Sequence, residues 1–322
     1  MTIRRRPLLL AAAAMAAPAP LAAQGAWPAR PVRMIVPYAA SGGTDILARA
    51  IAEALRPTLP HPIVVENRAG AAGVIGSEVV ARAEPDGHTL LMVVSTHVMN
   101  RYHLPSLPFD PIRGFSPIAM LTRNTMVLVA GSGQPFDSLR SMVEYAKRNP
   151  GRVGTGSTEA LTSFIGQELA RRAGIETPDV GYRSGGLLMN DIVAGHLPVG
   201  WTSTVSATPH IATGRVRVLA VSTATRTPFF PDVPTAAEQG VAEFDLSGWV
   251  AMLGPPGMDA ALVARIGGAV ETAFANPAFQ ERLRTLGVER DFRPAVALLA
   301  VMRRDDQIWA AAAQAGHIRP QQ

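Results

Sequence analysis

Residues 35–55 read IVPYAASGGTDILARAIAEAL. A short apolar run stops at Pro37, small residues follow, and apolar positions then return with helical spacing. Ile46, Leu47, Ala50, Ile51, Ala54 and Leu55 fall on one helix face. The stretch predicts a strand, a tight loop and a helix, with Ser41, Gly42, Gly43 and Thr44 at the helix start. Glycines there bare the first backbone N–H groups, which lack intrahelical partners and carry the positive end of the helix dipole. Two readings of Pro37–Asp45 fit. It is a seat for a carboxylate or phosphate, built from backbone N–H groups and the Ser41 and Thr44 hydroxyls, or an ordinary turn in which one hydroxyl caps the helix. Asp45, in the first helical turn, reads as a structural acid that offsets the dipole.

The same alternation continues along the chain. Strands are expected at 32–36, 63–66, 89–94, 118–122, 126–130, 196–201, 217–221 and 246–252. Helices are expected at 44–55, 74–83, 139–148, 161–173, 186–194, 260–275, 277–286 and 294–314. Such alternation predicts an α/β protein with mostly parallel sheets, because each parallel crossover needs a covering helix. The chain is expected to leave a first unit around Leu121–Thr125 and return around Phe244–Trp249, a double crossing that makes a hinge with a ligand between two lobes. A single doubly wound domain would give the same periodicity.

The N-terminus stands apart. Arg4, Arg5 and Arg6 precede PLLLAAAAMAAPAPLAA, the basic, apolar, small-residue layout of an export signal, with cleavage expected between Ala23 and Ala26. Removing residues 1–25 lowers Lys+Arg from 30 to 27 against 25 acids, so the formal charge falls from +5 to +2. The basic balance is therefore mostly the signal, which removes the main support for nucleic-acid binding. With no cysteine, disulfides, thiol nucleophiles and thiolate metal sites are excluded. Export without disulfides suits a periplasm. Lys147 is the only lysine, near an expected helix end, and no Walker-type GKS motif occurs.

Four further stretches carry candidate chemistry. VENRAGAAGVIGSEVVA, residues 65–81, superficially resembles a dinucleotide fingerprint, but GAAGVIG lacks the G-x-G start and no acid follows at the ribose spacing. It reads as a second small-residue wall. VVSTHVMN, residues 93–100, puts Ser95, Thr96 and His97 at the C-terminal end of a strand, where ligands of open α/β sheets bind. There His97 either bonds a carboxylate or caps the loop. GTGSTEALTSFIGQEL, residues 154–169, repeats the strand–loop–helix plan without being G-x-S-x-G. GYRSGGLLMND and GWTSTVSA, at 181–191 and 200–207, add two more polar loops. His61, His88, His103, His196, His210 and His317 show no metal spacing. Several polar seats without a matched nucleophile and base describe a receptor better than an enzyme. The competing expectation is a periplasmic α/β enzyme acting on a small carboxylic acid, for which His97 and Glu159 are the available acid–base groups.

WPARPVRMIVPYAASGGTDILARAIAEAL, PIVVENRAGAAGVIGSEVVARAEPDGHTLLM, LPFDPIRGFSPIAML, GRVRVLAVSTATRTPFFPDVPTAAEQGV and GWVAMLGPPGM occur in this order. Together they resemble the solute-binding receptors of tripartite tricarboxylate transporters, the Bug or TctC-type proteins, from about Trp27 to near the C-terminus. The resemblance implies a type II periplasmic-binding fold with residues 26–122 and 247–322 in one lobe and 123–246 in the other. It implies no cofactor, a small organic carboxylate as ligand, membrane permease subunits as partners, and a monomer in the periplasm. Carried over, first-lobe contacts are Tyr38, Ala39, Ser41, Gly42, Gly43, Thr44, Ala71, Ser95, Thr96 and His97. Second-lobe contacts are Ser157, Glu159, Ala160, Leu161, Thr162, Tyr182, Thr202 and Ser203. The second lobe departs from the family. Where relatives often show S-S-G-N-G-T-S, this chain has Gly156-Ser157-Thr158-Glu159-Ala160-Leu161-Thr162, so an acid appears. Where many carry F-D-N, it has Trp201-Thr202-Ser203, without the aspartate that could hold a ligand ammonium. Glu159 is either a capping acid or a new cation contact.

Overall fold

The computed structural model describes residues 27–40, 42–316 and 318. The expected export signal, its cleavage point and Ser41 lie outside the described residues. The first part of the chain forms β1 (Val32–Val36), α1 (Gly43–Leu55), β2 (Ile63–Asn67), α2 (Val74–Ala81), β3 (Thr89–Val94), α3 (Thr96–His103) and β4 (Ser116–Asn124). Next come β5 (Met126–Gly131), α4 (Leu139–Arg148), β6 (Thr155–Ser157), α5 (Ala160–Ala173), β7 (Asp179–Gly181), α6 (Gly185–Ala194), β8 (Val199–Ser203), α7 (Thr204–Ile211) and β9 (Val216–Val221). The chain ends with β10 (Gly248–Gly254), α8 (Ala260–Ala275), α9 (Pro277–Thr285), β11 (Glu289–Pro294) and α10 (Ala295–Gln314).

The strands make two sheets, β11-β4-β10-β3-β1-β2 and β7-β6-β8-β5-β9. This is the α/β, two-lobed architecture that the alternation and the double crossing predict. The expectation of mostly parallel sheets is corrected. β1 is parallel to β2 and β3, and β6 to β7 and β8, but β10 is antiparallel to β3 and β4, β11 to β4, and β5 to β8 and β9. The reason is the route of the chain. β3, β4, β8 and β9 all end on the side where the sheets face each other, here termed the mouth. β5 and β10 arrive from the other sheet and enter at the mouth, so they run opposite to the strands that finish there. The loops after β1, β2, β3, β6, β7 and β8 consequently open onto one mouth, the C-terminal strand ends where open α/β sheets place ligands.

Burial explains why these segments became elements. β10 is buried at every position and β3 at all but the last, as expected of strands covered on both faces. α1 buries Leu47, Ala48, Ile51 and Leu55, while Ile46 at its start is exposed. Each large apolar side chain so covered contributes about 2 kcal/mol. The crossings are short and hydrogen-bonded. Thr125 alone separates β4 from β5, and its hydroxyl donates to Glu289 of β11 at 2.9 Å. On the return, Leu246 N–H donates to the Ser222 carbonyl at 2.8 Å, and Arg123 on the outgoing side pairs with Asp245 at 2.8 Å. The two hinge segments are thereby tied to each other.

Candidate functional site

At the mouth, α1 starts at Gly43 with Gly42 as its N-cap, in extended conformation, and no described side chain bonds to its free N–H groups. A side chain built at Gly43 would meet nothing within 4 Å, so the space before the helix start is open. Thr44 is half-buried there, whereas Ala39, Gly42 and Gly43 are exposed. Asp45 is buried and pairs with Arg49 at 3.0 Å, in line with its structural reading.

The loop after β2 forms the neighbouring wall. Gly70, Ala71, Ala72 and Gly73 have successive φ values of 136°, 46°, 52° and 93°. Two alanines in the left-handed region cost about 1–2 kcal/mol each, and such strain gathers where surrounding structure over-determines it. The restraint is visible: the side chain of Asn100, buried on α3, donates to the Ala72 carbonyl at 3.0 Å. Glycine in the following helix has a packing reason. A Cβ at Gly76 would lie 2.7 Å from Pro37 Cβ and 2.8 Å from the Arg68 carbonyl, so α2 lies directly on the loop after β1. Sequence reasoning missed Asn100. Its only signal is an amide in a stretch otherwise buried, and the helix that carries it went unpredicted.

Tyr38 and Thr96 complete this wall. The Tyr38 hydroxyl accepts the Val94 N–H at 3.3 Å and bonds to the Thr96 side chain. Burial pushes the phenol up to about 12, and the nearby Glu159 carboxyl adds to the shift, so the phenol stays protonated. Ser95 is buried behind it.

His97 corrects an expectation. It is 3 % exposed, packs against both Phe109 and Phe115, and uses both ring nitrogens. Nε2 lies 3.0 Å from the Pro111 carbonyl, which only accepts, so Nε2 carries the proton and Nδ1 accepts from the Ser77 hydroxyl at 3.3 Å. Burial lowers its pKa to about 4. A neutral imidazole with both nitrogens occupied is a core group, neither a ligand contact nor a base.

The second sheet presents the start of α5 to this wall. Glu159 is the N-cap residue and forms a capping box with Thr162. The Thr162 hydroxyl oxygen accepts N–H groups from Thr158 at 2.9 Å and Glu159 at 3.1 Å. Solvent reaches Glu159, yet protein atoms crowd it, and this desolvation raises its carboxyl pKa. Leu161 is buried against the hinge: a Cβ at Gly248 would sit 3.1 Å from Leu161 Cδ2 and 3.5 Å from Ser95 Oγ. Tyr182 donates to Asp191 at 2.7 Å; burial, then that carboxylate, push it up to about 12. Ser203 caps α7 by accepting the Ser206 N–H at 3.2 Å, and Thr202 is buried.

The structure thus brings Tyr38 and Thr96 near Glu159 across the mouth, with Ser95 and Leu161 both close to Gly248. Leu161 packs beside the crossing, Thr162 and Ser203 cap helices, and His97 lies in the core with both ring nitrogens bonded. A cleft of about 790 Å³ continues from Ser157, Glu159, Ala160 and Tyr182 to Met99 and His103 of α3. Among the described residues no group of histidines and acids could hold a metal ion.

Two α/β sheets joined by a double crossing, with helix starts converging on a mouth, define a two-lobed solute-binding protein of the periplasmic type. The family model TctC, described as the tripartite tricarboxylate transporter family receptor, matches residues 47–300, and the chain belongs to this family. Protein BugT of Bordetella pertussis (strain Tohama I) is 32 % identical over 287 residues, covering 87 % of this chain and 86 % of BugT. The structure of the periplasmic binding protein BugD is 31 % identical with a TM-score of 0.76, over 92 % of this chain and 100 % of BugD. R. palustris Rpa4515, solved with adipate, is 26 % identical with a TM-score of 0.80, over 92 % of this chain and 100 % of its own. The chain is accordingly a binding receptor and not an enzyme.

Proposed function

We propose that this protein closes two lobes on a small organic carboxylate in the periplasm and passes it to the membrane permease subunits of a tripartite transporter. The lobes are residues 26–122 with 247–322 and residues 123–246, behind an export signal at 1–25 cleaved between Ala23 and Ala26, and the receptor works as a monomer. The observation that carries this reading is the open start of α1. Its free N–H groups face the mouth, no described side chain caps them, and the dipole favours an anion there. The carboxylate meets Tyr38, Ala39, Ser41, Gly42, Gly43, Thr44, Ala71, Ser95 and Thr96 on one side. It meets Ser157, Glu159, Ala160 and Tyr182 on the other, with Leu161, Thr162, Thr202 and Ser203 shaping that wall. Adipate in Rpa4515 supports the ligand class.

The test is mass spectrometry of ligand released from gently purified protein, followed by melting curves with mono-, di- and tricarboxylates and amino acids. A few compounds are expected to stabilise the fold, by about 2.7 kcal/mol at a hundredfold excess over Kd, and to reduce the radius of gyration in small-angle scattering. A panel without one stabilising carboxylate, or stabilisation without compaction, overturns the reading.

A further inference from the structure

We propose that Glu159 selects ligands carrying a protonated nitrogen in addition to the carboxylate. The inference rests on the receptor reading above and sharpens its ligand class. α1 and α5 follow strands that end at the same mouth; α5 begins with a capping box, whereas no described side chain caps the start of α1. At α5 the cap position is held by the protein's own acid, in a capping box with Thr162, whose hydroxyl oxygen accepts the N–H groups of Thr158 and Glu159 just before the helix.

Among the described residues of the cleft, no cationic side chain faces Glu159. Tyr38, from the loop after β1, is a protonated phenol, and Thr96 at the start of α3 carries a hydroxyl. Ser157 and Tyr182 flank it on its own side, and farther along the cleft stand Glu176 and Asp179, with His103 of α3 opposite. Among the described residues no arginine or lysine lines this cleft. The Glu159 carboxyl is reached by solvent yet crowded by protein atoms, which raises its pKa, and no cationic side chain of the cleft stands opposite it. A ligand ammonium supplies the missing charge through a charge-assisted hydrogen bond. A plain dicarboxylate adds a second negative charge to the same wall.

The test uses the mature protein and matched pairs: aspartate and succinate, glutamate and glutarate, 4-aminobutyrate and butyrate, titrated by calorimetry near neutral pH. The nitrogen-bearing member should bind at least about tenfold tighter. Glu159→Gln removes the charge and Glu159→Ser keeps a good helix cap without it; both should shrink the ratio to about threefold or less. Gly43→Val should weaken both members of a pair alike. Equal binding within pairs, or a ratio that survives in Glu159→Gln, overturns the inference. Preference for the dicarboxylate that strengthens as pH falls also overturns it, since Glu159 would then act as a protonated donor. If no compound of these pairs or of the wider carboxylate panel binds, the receptor reading itself has failed, a result distinct from bound ligands without discrimination.

Discussion

The starts of α1 and α5 are the same construction with opposite chemistry. Each follows a short strand through a few small residues into a helix at the mouth. At α1 the N-cap is Gly42 and no described side chain caps the free N–H groups; at α5 the N-cap is Glu159, locked with Thr162 in a capping box. A helix N-terminus is an anion seat only while its donors are free, and one side chain at the cap position decides whether they are. The support beneath differs too. The wall beside α1 is held by strained alanines, an Asn100 amide and a neutral buried imidazole, whereas the second wall is held by hydroxyl caps and the apolar packing of Leu161.

The largest expected effect tests that buried support. His97 has a folded pKa of about 4, below its ordinary 6.5, because burial disfavours the cation. The unfolded chain therefore takes up the proton first. The stability that His97 contributes is complete above pH 6.5 and is lost as pH falls toward 4, about 3 kcal/mol in all. Asp305, raised to about 6 chiefly by burial, works in the opposite direction. The measurement is consequently the difference in urea-unfolding free energy between the protein and His97→Gln from pH 7 to pH 4. A difference that stays flat with pH would show that the imidazole is not held neutral.

A smaller effect separates the two helix starts. Gly43→Val should raise the Kd of a bound carboxylate by about thirtyfold, roughly 2 kcal/mol, while the melting temperature of the unliganded protein stays the same, since a Cβ there touches nothing within 4 Å. Unchanged affinity by calorimetry would move the anion away from α1. The smallest effect concerns backbone strain. Ala72→Gly relieves a left-handed alanine at φ 52° but adds freedom to the unfolded chain, so a net gain of about 0.5 kcal/mol is expected. A loss of stability in chemical denaturation would mean that the Asn100 bond and loop packing, rather than tolerated strain, define this wall.

The elements visible in the sequence were those whose burial repeats with a clear period. β1, β3, α4 and α8 matched their expected bounds because apolar residues mark one helix face or fill a covered strand. β6 and β7 are three residues each, too short for a period, and β7 is exposed throughout. β11, ERDFRP, is a half-exposed charged edge strand. α3 starts one residue after β3, without a breaker to announce it, and α7 contains Pro209. The expected strand at 196–201 lies instead at Val199–Ser203, the register set by pairing with β5.

By itself the sequence determined the α/β class, the glycine-opened start of α1 and the acid at Glu159, because these follow from local periodicity and from residue types at named positions, whereas a double crossing and a single doubly wound domain give the same periodicity. Only the tertiary structure decided that the sheets are mixed, that His97 serves the core, that Asn100 restrains the loop after β2, and that Glu159 comes near Tyr38. Each of these depends on contacts between segments far apart in the chain, and a strand's direction or a side chain's protonation is set by those neighbours, which no local pattern encodes.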